Sequence, residues 1–253
     1  MDLQLAGRKA LVTGGTKGIG RAIVEALVGE GVAVAFCART EADVKEAEQT
    51  LRGRGAEVSG TVLDVADGAA LTNWVGTAAG QLGGIDIAVA NVSALAAAPG
   101  EENWRASFEV DVLHAVRLVE AALPHLERSD AASIVTISSV SGREIDFAAG
   151  PYGTMKGALV HYTHGLAVQL APKGIRANSV SPGNVYFDGG FWQSVEQNNP
   201  ELYEHALGLN PTGRMGDPEE TAYAVVMLAS PRARRISGTN LVVDGALTRG
   251  VQL

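Results

Sequence analysis

Tyr152 and Lys156 stand four positions apart in Tyr152-Gly153-Thr154-Met155-Lys156, a spacing that puts both on one face of a helix. A phenol with an ordinary pKa of about 10 is a poor acid–base group at neutral pH, but an ammonium beside it favours the phenolate. Such a pair can give a proton to, or take one from, an oxygen of a reacting molecule. Ser139, just after the apolar run Ser133–Ser138, adds a hydroxyl that could hydrogen-bond the same oxygen. Many helices carry a Tyr-x-x-x-Lys pair by chance, so its meaning depends on what surrounds it.

A second set of residues lies near the N-terminus. The run Thr13-Gly14-Gly15-Thr16-Lys17-Gly18-Ile19-Gly20 joins a β-branched segment to the amphipathic stretch beginning at Arg21. Glycines in a strand-to-helix turn let backbone approach a pyrophosphate, which then faces the N–H groups and positive dipole end of the helix. Gly14, Thr16, Lys17, Gly18, Ile19 and Gly20 are therefore candidate cofactor contacts. The Gly-x-x-x-Gly-x-Gly spacing departs from Gly-x-Gly-x-x-Gly, and no Gly-Lys-Ser/Thr ending marks a P-loop. The second apolar run ends in Ala38-Arg39, with alanine where an acid would read a free ribose 2′-hydroxyl. Arg39, with Lys17 near the same corner, suits a 2′-phosphate, so the cofactor is expected to be NADP(H) over NAD(H).

The elements that must position these residues alternate regularly. Strands are predicted over Lys9–Thr13, Val32–Cys37, Glu57–Leu63, Ile85–Ala90, Ser133–Ser138, Arg176–Val180 and Asn240–Val243. Helices are predicted over Ile19–Glu30, Glu41–Arg52, Ala66–Gln81, Glu102–Leu126, Tyr152–Leu170 and Pro218–Ala229. The expected fold class is α/β: a doubly wound Rossmann fold whose parallel seven-stranded sheet has helices on both faces. No linker divides the 253 residues, which read as one dinucleotide-binding and catalytic domain. A segment at about 184–217, rich in Gly, Pro, Asn and aromatics, breaks the alternation and is expected to be a substrate lid.

Composition narrows the function classes. A formal charge of −8 without a Lys/Arg run argues against nucleic acid. A single cysteine, Cys37, excludes an internal disulfide, and no Cys/His spacing suggests zinc. His161 and His164 lack carboxylates at matching spacing, so no metal is expected. Without a signal-like N-terminus or a long apolar run, the expectation is a soluble cytoplasmic protein that does not engage a membrane.

Thr13-Gly14-x-x-x-Gly18-x-Gly20, Asp64-Val65, Ser139, Tyr152, Lys156, Pro182-Gly183 and Gly238…Val243-Asp244-Gly245 occur in an order that resembles the short-chain dehydrogenase/reductase family over essentially the whole chain. The resemblance implies a nicotinamide-dependent oxidoreductase acting on a small carbonyl or alcohol. Tyr152 would be its acid–base, Ser139 would orient the carbonyl oxygen, and Lys156 would hold the nicotinamide ribose while acidifying the tyrosine. Asp64 and Val65 would border the adenine, and Val185, after Pro182-Gly183, would bind the carboxamide through its backbone. A homotetramer is implied, with helices 102–126 and 152–170 at one interface and the last strand at another.

Three departures from the family pattern stand out. Ala90-Asn91-Val92-Ser93 keeps one asparagine, Asn91, and loses a glycine; Phe187 stands where a threonine often follows the Pro-Gly turn. Asp111 occupies the place of the family's catalytic asparagine and lacks its amide donor, so a retuned or impaired proton relay is expected. Phe187, Phe191, Trp192 and Tyr203 either line a pocket for an apolar or aromatic substituent or pack the lid itself. Reduction of 3-oxoacyl thioesters, or dinucleotide binding without turnover, are the alternative functions.

Overall fold

The computed structural model describes residues 2–251. Strands β1 (Lys9–Thr13), β2 (Ala33–Ala38), β3 (Val58–Val62), β4 (Ile87–Ala90), β5 (Ser133–Ile137), β6 (Arg176–Pro182) and β7 (Asn240–Val243) form a parallel sheet in the order β3-β2-β1-β4-β5-β6-β7. The order reverses between β1 and β4, and in such sheets that reversal opens a crevice at the C-terminal strand ends. Lys9–Thr13 and Asn240–Val243 recur as expected and the other five strands with ends displaced by one or two residues, because ladder pairing, and not apolar content, decides where a strand stops.

Each central strand feeds two cores through its alternating side chains. Leu11, Ala35, Cys37 and Ala88 face one core, shared with α3 (Gly68–Leu82), α5 (His114–Leu126) and α6 (Pro151–Leu170). Val12, Val34, Phe36 and Val89 face the other, shared with α1 (Gly18–Gly29), α2 (Glu41–Gly53) and α9 (Pro218–Ala229). Burial on both sides is why these strands read as nearly continuous apolar runs.

One expected element is corrected. The helix predicted over Glu102–Leu126 is α4 (Glu101–Ser107), then a π-helical turn at Phe108–Leu113, then α5. Helical periodicity runs through all three, but the π turn widens the ring by one residue and resets which side chains face inward. Phe108 is exposed as a result, and Asp111 is buried. The 184–217 segment contains two short helices, α7 (Phe191–Asn198) and α8 (Pro200–Gly208). Asn199 starts α8 by accepting from the Leu202 N–H at 3.2 Å, with Pro200 at the first helical position.

Arg176, at the start of β6, is buried and terminates α9 from below. Its guanidinium donates to the carbonyls of Leu228 at 2.6 Å, Ala229 at 3.1 Å and Ser230 at 3.1 Å, groups that a helix end leaves unpaired. Burial lowers its pKa to about 10, so it remains cationic at neutral pH. Arg176→Met is expected to destabilise the fold by about 3 kcal/mol, the scale of losing charged hydrogen bonds and stranding buried acceptors. Urea denaturation followed by circular dichroism measures this, and an unchanged midpoint would remove the capping role.

Candidate active site

The glycine turn is built by β1, β2 and β4 together. Gly14 and Gly15 donate their N–H groups to the Cys37 carbonyl at 2.8 and 3.2 Å, which ends the ladder and turns the chain into α1. Gly14 and Gly18 take φ of +72° and +51°, conformations that favour glycine. A methyl on Gly20 would collide with the Gly14 carbonyl oxygen, so the turn closes on itself. No side chain caps α1, whose first N–H groups stay available to a ligand. Cys37 is a core residue, its thiol pushed up to about 12 by burial, and is not a nucleophile.

Asn91 supports this turn from beneath: its amide donates to the Thr13 carbonyl at 3.0 Å and, at 3.4 Å, to that of Gly14. Arg39 is exposed at the end of β2, with no hydrogen-bond or ion-pair partner among the described residues. Lys17, expected beside it as a second cation for a phosphate, is instead paired with Asp43 at 2.9 Å. Thr16 and Ile19 are partly buried in the same turn, and Asp64, exposed after β3, accepts from the Ala66 N–H at 3.0 Å with Val65 buried behind it.

The second half of the site forms where β5 meets α6. Ser139 is nearly buried and starts a short 3-10 turn at Val140–Gly142, its Oγ accepting from the Ser141 N–H at 3.1 Å. Its hydroxyl proton is left to donate. Gly142 and Gly153 allow this turn to lie directly on α6, since a side chain at either would strike backbone of the opposing segment. Ser138 adds a bond from its hydroxyl to the Lys156 carbonyl at 2.8 Å. Tyr152 is half-buried at the start of α6, and the Lys156 Nζ lies 5.6 Å from the centre of its ring.

Lys156 is 2% exposed; it donates to the Ile137 carbonyl at 2.9 Å and stands 3.2 Å from Oδ1 of the wholly buried Asp111. Asp111 Oδ2 accepts a long bond from the Ala94 N–H at 3.4 Å. The π turn brings Asp111 to this position, where it forms an ion pair with Lys156.

His114 was not singled out in the sequence, yet it joins the two halves. It is 1% exposed; its Nδ1 meets the Val110 carbonyl, and its Nε2 lies 3.2 Å from Thr13 Oγ1. A carbonyl only accepts, so Nδ1 carries the proton and Nε2 accepts from Thr13. Thr13 Oγ1 in turn accepts the Asn91 N–H at 3.0 Å. A buried histidine three residues after a buried aspartate was a weak signal, unreadable without knowing which helix face is inward.

Beyond β6, Pro182 is buried and Gly183 packs against Asp244. Val185 forms a parallel bridge to Gly216, closed by the Gly216 N–H to the Asn184 carbonyl at 2.8 Å and the Tyr186 N–H to the Gly216 carbonyl at 2.9 Å. In this pattern the N–H and C=O of Val185 itself point away from Gly216. The four lid aromatics separate. Phe187 lies across Gly18 and Gly190, against the glycine turn. Trp192 is buried in a small lid core with Ala206 and Met215, and Tyr203 packs on that core. Trp192 makes edge contacts with Phe191 at 5.2 Å and with Phe147 at 5.6 Å. Phe147, not singled out in the sequence, lies between Ser139 and Tyr152 in the chain and is half-exposed. His164 Nδ1 meets the Gly238 carbonyl at 2.9 Å, and among the described residues no group of three His, Cys, Asp or Glu side chains could hold a metal. No helix among them is long and apolar enough to cross a membrane.

Comparison with known proteins agrees with this geometry. A family model described as Enoyl-(Acyl carrier protein) reductase matches residues 14–248. Isoepoxydon dehydrogenase of Penicillium expansum is 42% identical over 253 residues, 98% of this chain and 97% of that protein. An NADPH-bound short-chain oxidoreductase from Pseudomonas aeruginosa, described as containing an atypical catalytic center, is 30% identical with a TM-score of 0.88, covering 97% of this chain and 99% of that one. A short-chain dehydrogenase from Burkholderia cenocepacia in complex with NADP is 28% identical with a TM-score of 0.89, covering 96% and 99%. The chain belongs to the short-chain dehydrogenase/reductase family and is an oxidoreductase.

Burial pushes the His114 imidazole down to about 4, the Val110 bond opposing and the Lys156 ammonium assisting. Between that value and the unfolded pKa of about 6.5, the unfolded chain binds the proton and the folded chain does not, so stability is lost as pH falls through this window. The loss expected from His114 is about 3 kcal/mol by pH 4. Melting temperatures from pH 7.5 to 4.5 should fall less steeply for His114→Gln than for the parent protein. Parallel curves would show that His114 does not carry the acid sensitivity.

Proposed function

We propose that this protein interconverts a ketone or aldehyde with the corresponding alcohol, using NADP(H). Ser139, Tyr152 and Lys156, assembled on the β5–α6 junction beside the glycine turn, are the observation that carries this reading. The cofactor fits the residues present: the backbone of Gly14, Gly18, Ile19 and Gly20 with Thr16 is suited to its pyrophosphate, and Arg39 to a 2′-phosphate. Asp64, Val65, Asn91, Pro182, Gly183 and Val185 would border its remaining parts, and Lys17 contributes less than expected because Asp43 already holds it. The NADPH- and NADP-bound relatives support the same preference over NAD(H). Bound NADPH would supply hydride to the carbonyl carbon.

The chain's own groups do the remaining work. Ser139 donates its hydroxyl proton to the substrate oxygen and holds it beside Tyr152. Tyr152 gives its phenolic proton to that oxygen during reduction and removes it during oxidation. Lys156, fixed by Ile137 and Asp111, favours the phenolate left on Tyr152. Phe147 and Phe191, tied through Trp192, favour a substrate with an apolar or aromatic substituent. We read the chain as one domain with residues 184–217 as the lid. We also propose a cytoplasmic location and a homotetramer, the assembly alone being supported by β7 at the edge of the sheet and the exposed Val168 on α6. Reduction of the keto group of a 3-oxoacyl thioester by the same residues is the second reading; the family description, which names an acyl-carrier substrate but reduction of a C=C bond, supports it only in the acyl part.

Tyr152→Phe should lower NADPH-dependent reduction of an aromatic ketone panel by at least about 10³-fold. NADPH affinity, followed by fluorescence, should be retained. Full turnover by the variant would overturn the acid–base assignment, and activity confined to acetoacetyl thioesters would favour the second reading. Arg39→Ser should weaken NADPH binding about 10- to 100-fold with little effect on NADH, the loss of a charged phosphate contact. Equal losses for both cofactors would exclude 2′-phosphate recognition by Arg39.

A further inference from the structure

Two charged groups inaccessible to water face each other beside Tyr152. Asp111 is 0% and Lys156 2% exposed, with Oδ1 and Nζ 3.2 Å apart. Among the described residues Asp111 Oδ1 has no hydrogen-bond partner and Oδ2 receives only the long Ala94 bond of 3.4 Å, so the Lys156 ammonium is the principal charge answering this carboxylate. The neighbouring elements offer it little else. His114 on α5 is neutral above about pH 4, and Arg117 on α5 is already paired with Glu109 of the π turn. On α6 the facing groups are Lys156 and Tyr152 themselves.

We propose that Asp111 is a positioning residue and counter-ion that ties down the Lys156 ammonium and holds back ionisation of Tyr152. This inference rests on Tyr152 being the acid–base of the reaction. The sign follows from charge: the ammonium favours the phenolate, the carboxylate disfavours it, and low-dielectric surroundings make both effects felt across the site. An asparagine at 111 would leave the ammonium unopposed, so Tyr152 would ionise more readily. Asp111 also keeps Lys156 aligned, because a buried ammonium with one acceptor fewer would turn toward any other acceptor within reach.

The test is an ultraviolet difference titration of the purified full chain, with the matching Tyr152→Phe variant subtracted so that only the Tyr152 phenolate is read. Asp111→Asn is expected to form that phenolate about one pH unit lower than the parent protein, and Asp111→Glu to restore the parent curve. Asp111→Ser gives the same reading if the asparagine variant does not fold. Coincident titrations of parent and neutral variants would overturn the proposal, because a purely structural Asp111, or one that is protonated, moves turnover without moving the curve. The titration needs no carbonyl substrate. Failure of the ketone panel would sink the proposed reaction while leaving this measurement decisive for Asp111.

Discussion

A buried ammonium constrains everything around it, because each missing acceptor strands a charge in a medium that cannot solvate it. Lys156 meets this demand with the Ile137 carbonyl at the end of β5 and with Asp111 from the π turn. Neither partner is local in sequence. The sheet must end at Ile137, and the helix that follows the fourth strand must carry its extra residue where it does, or the ammonium has no site. The wider turn at Phe108–Leu113 thus has an identifiable purpose: it brings a carboxylate to a place that a regular α-helix would give to another side chain.

The same π turn is anchored to the glycine turn on the far side of the crevice. The Asn91 backbone N–H, the Thr13 hydroxyl, the His114 imidazole and the Val110 carbonyl form a hydrogen-bonded line from the end of β4, past the end of β1, to the π turn. Because the line starts at a group that only donates and ends at one that only accepts, it has one consistent direction and one histidine tautomer. It ties the glycine turn to the π turn that carries Asp111, which suits the proposed reaction, in which two bound molecules must meet at fixed distance. His114 is held neutral by burial, so it contributes alignment without adding charge beside Tyr152.

The 184–217 segment, which we propose as the lid, follows different physics. Its short helices have a small core of their own around Trp192, Ala206 and Met215, and its contacts to the rest of the site are aromatic rings set edge to face. Phe187 rests on Gly18, so this segment meets the glycine turn through an apolar surface. Phe147 connects the lid to the segment between Ser139 and Tyr152 and makes the apolar character of the lid part of the site itself.

Much of this was legible in the residues. Alternating apolar runs and helical spacings determined the doubly wound sheet, since a strand buried on both faces can be little else. The glycine spacing marked the strand-to-helix turn, because Gly14 and Gly18 take a positive φ that favours glycine. Tyr152 and Lys156 shared a helix face by periodicity alone, and Ser139 followed from its place at a strand end. Tertiary structure decided what periodicity cannot carry. It replaced one long helix by α4, the π turn and α5, because a single extra residue in one turn leaves the apolar pattern intact while rotating every inward position beyond it. It made Asp111 the partner of Lys156, drew Lys17 to Asp43, and gave His114 its bridging role. Those pairings join residues 26, 45 and 101 positions apart, where only the fold brings the charges and donors within reach.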